Sequence, residues 1–167
     1  MRRRALLGVL ALGGCGFHPT YGGGDAGPAS TALAGILVDL LPERNGQLLR
    51  LALQRRFEGS GRGVPKTSEL SCVFAIGTEG TGIQPDSSST RTRFFATASY
   101  RLVALTPDRR TITSGAARAI DGLDVVNSQY FAADLESGAI QRRLAEAIAD
   151  RITGQLSAFF ARAAAAG

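Results

Sequence analysis

Ile140, Leu144, Ala147, Ile148, Ile152, Leu156, Phe159 and Ala163 recur at three- and four-residue spacing near the end of the chain. A stripe of that length must belong to a helix, and the helix needs a surface to bury it against. The spacing predicts helix from about Gln129 to Arg162, roughly 50 Å long at 1.5 Å per residue. Gly138 and Gly154 interrupt it, each weakening it by about 1 kcal/mol relative to alanine. The stripe is broader than a strict heptad seam, so the expected surface is a sheet and not a coiled-coil partner.

Two-residue alternation upstream supplies that sheet. Leu70, Cys72, Phe74 and Ile76 point one way while Ser71, Val73, Ala75, Gly77 and Glu79 point the other. After a polar loop, Gly80 to Thr90, a second strand turns Phe94, Ala96, Ala98, Tyr100, Leu102 and Ala104 inward and Arg91, Arg93, Phe95, Thr97, Ser99 and Arg101 outward. Pro107-Asp108 makes a tight turn into a third strand, Arg110 to Asp121, and so short a connection requires an antiparallel hairpin. Before these strands, Ile36 to Leu40 is a short β-rich run closed by Pro42. A helix then follows from the expected N-cap Asn45 through Leu49, Ala52, Leu53, Arg56 and Phe57, ending at Gly59, Gly61 and Gly63. The expected fold is therefore α+β: a mixed or antiparallel sheet of about four strands with two helices packed on one face, in the order β-α-β-β-β-α.

The N-terminus reads as a leader. Met1 to Arg4 is positive, Ala5 to Gly13 is apolar, and Leu12-Gly13-Gly14-Cys15 follows. The apolar run is too short to span a bilayer, which takes about 20 helical residues. Small residues before a cysteine resemble the lipobox of bacterial prolipoproteins, which marks Cys15 as the lipid-attachment site and first mature residue. The expected organisation is a signal peptide at 1–14, a flexible glycine-rich tether at 15–34 and a single α+β domain at 35–167. Gly16, not aspartate, follows the cysteine, which by the sorting rule of enteric bacteria directs the protein to the outer membrane. Its domain would then lie on the periplasmic side.

Composition narrows the function. Nineteen basic residues against fourteen acidic ones give a formal net charge of +5, and loss of Arg2, Arg3 and Arg4 with the leader brings it to +2. That is too little for a nucleic-acid partner. With Cys15 acylated, Cys72 is left as a small core hydrophobe. His18 sits in the tether, and one histidine cannot form a usual catalytic metal centre, so neither metal nor cofactor is expected. The chain lacks the serine-hydrolase turn and the phosphate-cradling loop ending in lysine, and nothing in it suggests an enzyme. Binding has better footing. Arg91, Arg93 and Arg101 share one strand face with threonine, serine and Phe95, a combination suited to an amphiphile bearing phosphate and acyl groups.

Cys15-Gly16-Phe17-His18-Pro19-Thr20-Tyr21-Gly22 is similar to the start of the lipopolysaccharide-assembly lipoprotein family LptE, in its alphaproteobacterial form. Gly46-Gln47-Leu48-Leu49-Arg50, which opens the first helix, and Asn127 to Ala133, which lead into an alanine- and arginine-rich closing helix, extend the resemblance across the chain. It implies a lipid-anchored outer-membrane protein that plugs the LptD β-barrel, helps that barrel fold, and assists delivery of lipopolysaccharide to the cell surface. It also implies lipopolysaccharide binding through basic residues of the sheet, for which Arg91, Arg93 and Arg101 are this chain's candidates. A lipid-binding accessory lipoprotein of another envelope lipid transporter is the alternative that the same tether and fold allow.

Overall fold

Seven elements follow one another along the chain: α1 (Pro28–Ala34), β1 (Ile36–Val38), α2 (Glu43–Glu58), β2 (Ser68–Ile83), β3 (Ser89–Ala104), β4 (Thr111–Asp124) and α3 (Tyr130–Ala166). The computed structural model describes residues 28–59, 63–83, 89–124 and 130–166, so the leader, Cys15 and most of the tether lie outside the described residues. The strands form one mixed sheet in the order β1-β2-β3-β4. β1 runs parallel to β2, with Ile36 opposite Ser68, and the other two pairs are antiparallel. A parallel pair needs a crossover connection, and α2 supplies it. The expected α+β architecture is the one observed.

Alternation explains the sheet's two faces. Leu70 of β2, Phe94, Ala96, Ala98, Tyr100 and Leu102 of β3, and Ala117 and Ala119 of β4 are all buried on the side carrying the helices. α2 covers the β1–β2 half and α3 the β3–β4 half. Within α2, Gly46, Leu49, Ala52, Leu53 and Phe57 repeat at helical spacing and are all buried. On α3, Ile140, Leu144, Ile148, Ile152 and Leu156 form a row of large aliphatic residues at four-residue intervals, and Ala145, Ala149, Thr153 and Ser157 form a second, small row beside it. The two buried hydroxyls satisfy themselves within the helix, Thr153 donating to the Ala149 carbonyl at 2.7 Å and Ser157 to that of Thr153 at 2.8 Å.

Ion pairs tie the helices together at their outer side. Arg56 Nη1 meets Glu146 at 2.7 Å and its Nε meets Asp150 at 2.7 Å, while Arg55 also pairs with Glu146. These side chains are largely exposed, apart from Arg56, and each such pair is worth no more than about 1 kcal/mol. The apolar rows beneath them hold the layers together.

Several boundaries differ from the sequence reading. Residues 28–34, placed at the end of the tether, form α1, whose Leu33 and Ala34 are buried and which packs on α3 and α2. Seven residues, about two turns, are too few to show a period, which is why the pattern does not reveal it. α2 begins at Glu43 with Pro42 at the cap, so Asn45 is not the N-cap. Asn45 sits inside the first turn, where its Oδ1 has no hydrogen-bond partner. Gly46 explains the earlier start: a Cβ there would lie 2.9 Å from that of Leu41, so the first turn is pressed against the preceding chain in a way only glycine allows. The β2–β3 hairpin reaches past Gly80 to Ile83 and resumes at Ser89, since main-chain pairing continues beyond the end of the apolar alternation. Finally, β1 stops at Val38, and α3 continues to Ala166.

The β3–β4 turn conforms to its sequence. Arg109 N donates to the Thr106 carbonyl at 2.9 Å around Pro107 and Asp108, and Arg109 itself takes the left-handed conformation, φ 45°, that turns the chain back toward β4.

Candidate functional site

Among the described residues, nothing covers the other side of the sheet. Strand pairing sets its residues in rungs across β2, β3 and β4: Ser71–Arg101–Ser114, Val73–Ser99–Ala116, Ala75–Thr97–Arg118, Gly77–Phe95–Ile120 and Glu79–Arg93–Gly122. Arg93 and Arg101, two of the three arginines expected on this face, are there and exposed. Arg91 keeps the register, opposite Thr81 and Asp124, but its side chain lies outside the described residues. The sequence reading missed Arg118, which stands beside Thr97 and is exposed. Arg93, Arg101 and Arg118 form no ion pair among the described residues. Exposed guanidiniums that are not engaged in an ion pair can meet an external anion.

Large apolar side chains share this face. Val73 is 74% exposed and Ile120 71%, well beyond what scattered surface residues on a soluble sheet require. Phe95, 41% exposed, folds its ring over Gly77, where a Cβ would come within 2.2 Å of the ring. The glycine on β2 thus provides the seat for the aromatic ring on β3. Beyond this apolar rung lies a shallow depression of about 590 Å³, floored by Ser71, Val73, Ser99, Ser114 and Ala116 and edged by Arg101. The face therefore offers cations, hydroxyls and hydrocarbon together.

The opposite side of the same strands is built for rigidity. The Tyr100 ring lies over Gly115, where a Cβ would meet the hydroxyl at 2.6 Å. That hydroxyl donates to Gln155 Oε1 of α3 at 2.8 Å, and Gln155 Nε2 donates to the Ala116 carbonyl of β4 at 3.1 Å. Cys72 is half-buried against the core, as expected of a small hydrophobe, and burial, with Asp39 adding to it, pushes its thiol up to about 12. A thiol that stays protonated at neutral pH is a poor nucleophile.

Asp121 fixes the far end of α3 to β4. Its Oδ2 accepts from Arg143 Nε at 2.8 Å and its Oδ1 from Gly122 N at 2.8 Å. Burial pushes its carboxyl up, but the hydrogen bonds from Arg143 and Gly122, together with the Arg143 charge, outweigh this and hold it below the usual carboxylate range. The sign follows directly. A depressed carboxylate stabilises the fold above its unfolded value and loses that contribution as pH falls through the folded one. We expect Asp121→Asn to lower the melting temperature at pH 7, and the gap from the unaltered protein to close as pH drops below about 4. A gap of constant size across thermal melts from pH 7 to pH 2 would contradict the ion-pair role.

Among the described residues no group of three or more histidine, cysteine, aspartate or glutamate side chains could hold a metal ion. No helix among them is long and apolar enough to cross a membrane.

No protein-family model matches this chain, and no curated protein matches it in sequence. Solved structures do match its fold. A protein from Caulobacter crescentus CB15 described as a lipoprotein aligns over 80% of this chain and 96% of its own, with TM-score 0.64 and 19% identity. Lipoprotein B from Nitrosomonas europaea aligns over 75% of this chain and 82% of its own, at TM-score 0.56 and 14% identity. Rare lipoprotein B from Shewanella oneidensis aligns over 74% and 92%, at TM-score 0.52 and 10% identity. At these identities the likeness establishes a shared fold: a sheet with one helix-covered face is the architecture of these lipoproteins and of this chain.

Proposed function

We propose that this chain is a lipid-anchored outer-membrane lipoprotein of the lipopolysaccharide translocon, which plugs and assists assembly of an LptD-like β-barrel and helps deliver lipopolysaccharide to the cell surface. The observation that carries the reading is the uncovered sheet face, where Arg93, Arg101 and Arg118 stand exposed beside Phe95, Val73 and Ile120. On a free soluble domain such a face is an unprotected liability. Inside a barrel, whose lumen is polar and hydrated, the arginines are accommodated, and the phosphates and acyl chains of a passing glycolipid find partners for both. The lipobox at Cys15, the motif resemblance and the lipoproteins that share the fold all point the same way. The protein acts by docking and guiding rather than by catalysis, and the high thiol pKa of Cys72 accords with that.

Detergent solubilisation of envelopes followed by affinity purification of the tagged, native-length protein is the direct test. A large barrel protein should come with it in stoichiometric amount. Recovery of the lipoprotein alone would overturn the plug role. Depletion that leaves surface lipopolysaccharide unchanged but disturbs phospholipid asymmetry would instead favour service to another lipid transporter.

A further inference from the structure

The cations on the open face are not evenly spread. Arg93 of β3 is two residues from Phe95, and Arg118 of β4 is two residues from Ile120, while Phe95 and Ile120 stand opposite each other in the register. The two arginines therefore bracket one apolar rung diagonally, one on each side and on neighbouring strands. Two rungs along the strands and one strand across set their backbones about 14 Å apart. To converge on one phosphate, both guanidiniums would have to stretch fully across the Phe95–Ile120 rung against their mutual repulsion. Left extended, each meets its own anion while hydrocarbon or a sugar ring rests between. Glu79 stands next to Arg93 in the register without pairing to it, so Arg93 remains available. Arg101 lies eight residues along β3 from Arg93 and as far from Arg118 as Arg93 does, but the pair between Arg101 and Arg118 is Ser99–Ala116, at the hydroxyl-floored depression, which offers no large apolar rung for hydrocarbon to rest on.

We propose that Arg93 and Arg118 form a two-anion site across the Phe95–Ile120 rung, selective for amphiphiles carrying two separated phosphates over those carrying one. The proposal rests on the lipopolysaccharide reading above and makes it specific. The bracket counts phosphates, whereas Arg101 adds affinity without counting.

Vesicle flotation with residues 15–167 carrying Cys15→Ser, which lacks the acyl anchor that would insert into any vesicle, tests it. Phosphatidylcholine vesicles would carry either bis-phosphorylated lipid A or its monophosphoryl form, with phosphatidylglycerol added to the second to equalise net charge. Because a hydrogen bond to a charged group can change affinity by an order of magnitude, the unaltered protein should prefer the bis-phosphorylated form by about tenfold. Arg93→Gln and Arg118→Gln should each reduce that preference to below about twofold, whereas Arg101→Gln should weaken both forms alike and keep the preference. Melting temperatures within a degree or two of the parent would show that the variants are folded, as expected for exposed positions. A preference that survives Arg118→Gln, or is lost equally with Arg101→Gln, overturns the bracket. Equal binding of the two forms by the unaltered protein also overturns it and leaves the lipopolysaccharide reading standing. Binding of neither form overturns the bracket and the direct-contact part of that reading together, and barrel co-purification then decides the plug role on its own.

Discussion

Phe57→Ala should destabilise the domain by about 3–5 kcal/mol, a large part of the roughly 5–15 kcal/mol available to a domain of this kind. Phe57 closes the C-terminal end of α2 with only 1% of its surface exposed, and it is the bulkiest fully buried side chain of the core. Truncation removes its transfer free energy and leaves a void that the surrounding aliphatic residues cannot fill without leaving their rotamers. Phe57→Leu keeps most of the volume and should cost no more than about 1.5 kcal/mol. Leu51, in the same helix but 54% exposed, is the internal control, and its replacement by alanine should move the urea midpoint only slightly. Equal losses at 51 and 57 would mean that α2 presents a different face to the sheet.

Cys15→Ser should move nearly all of the protein from the membrane to the soluble fraction of the envelope while leaving its thermal unfolding unchanged. The size of the effect follows from the acyl chains. Each buried methylene contributes about 0.8 kcal/mol, and stable anchoring takes two or more chains where a single chain binds reversibly. Retention of the fold follows from distance along the chain, because Cys15 precedes Pro28, the first residue of α1, by thirteen residues. Fractionation by carbonate extraction, with mass analysis of the N-terminal residue, reads both. Unaltered membrane association of the serine variant, or an uncut and unacylated native chain, would remove the lipoprotein premise.

How much of this was legible from residues alone depended on side-chain size. In β2 and β3 the large residues Leu70, Phe74, Phe94 and Leu102 keep one parity while Ser71, Ala75, Arg93, Ser99 and Arg101 keep the other, so both strands and both faces could be assigned. In β4, Thr111 to Asp124 is mostly threonine, serine, glycine and alanine, and residues so similar in polarity carry no face signal. Arg118 was invisible as a site residue for that reason: only its pairing with Thr97 puts it on the open face. The same smallness has a structural purpose that appears only in three dimensions, since Ala117 and Ala119 leave room for α3 to lie close, and Gly115 leaves room for the Tyr100 ring. α1 escaped notice because Pro28–Ala34 is shorter than any amphipathic repeat, and its place is decided by the α3 and α2 surfaces it meets. The parallel pairing of β1 with β2 was likewise left open between mixed and antiparallel sheets, because three residues cannot report a direction.

Gln155 joins three elements through one side chain. One amide serves the phenol of an inner strand and a main-chain oxygen on the border strand, so the closing helix cannot lift away without both strands losing a partner at once. Separation at that border is thereby made concerted. We expect amide protons along Thr111–Asp124 and in the middle of the last helix to exchange with solvent together, and separate exchange of the two in a hydrogen-exchange measurement would contradict this coupling. On the function proposed above, a domain past which long, greasy molecules slide would gain from having no loose hem to catch.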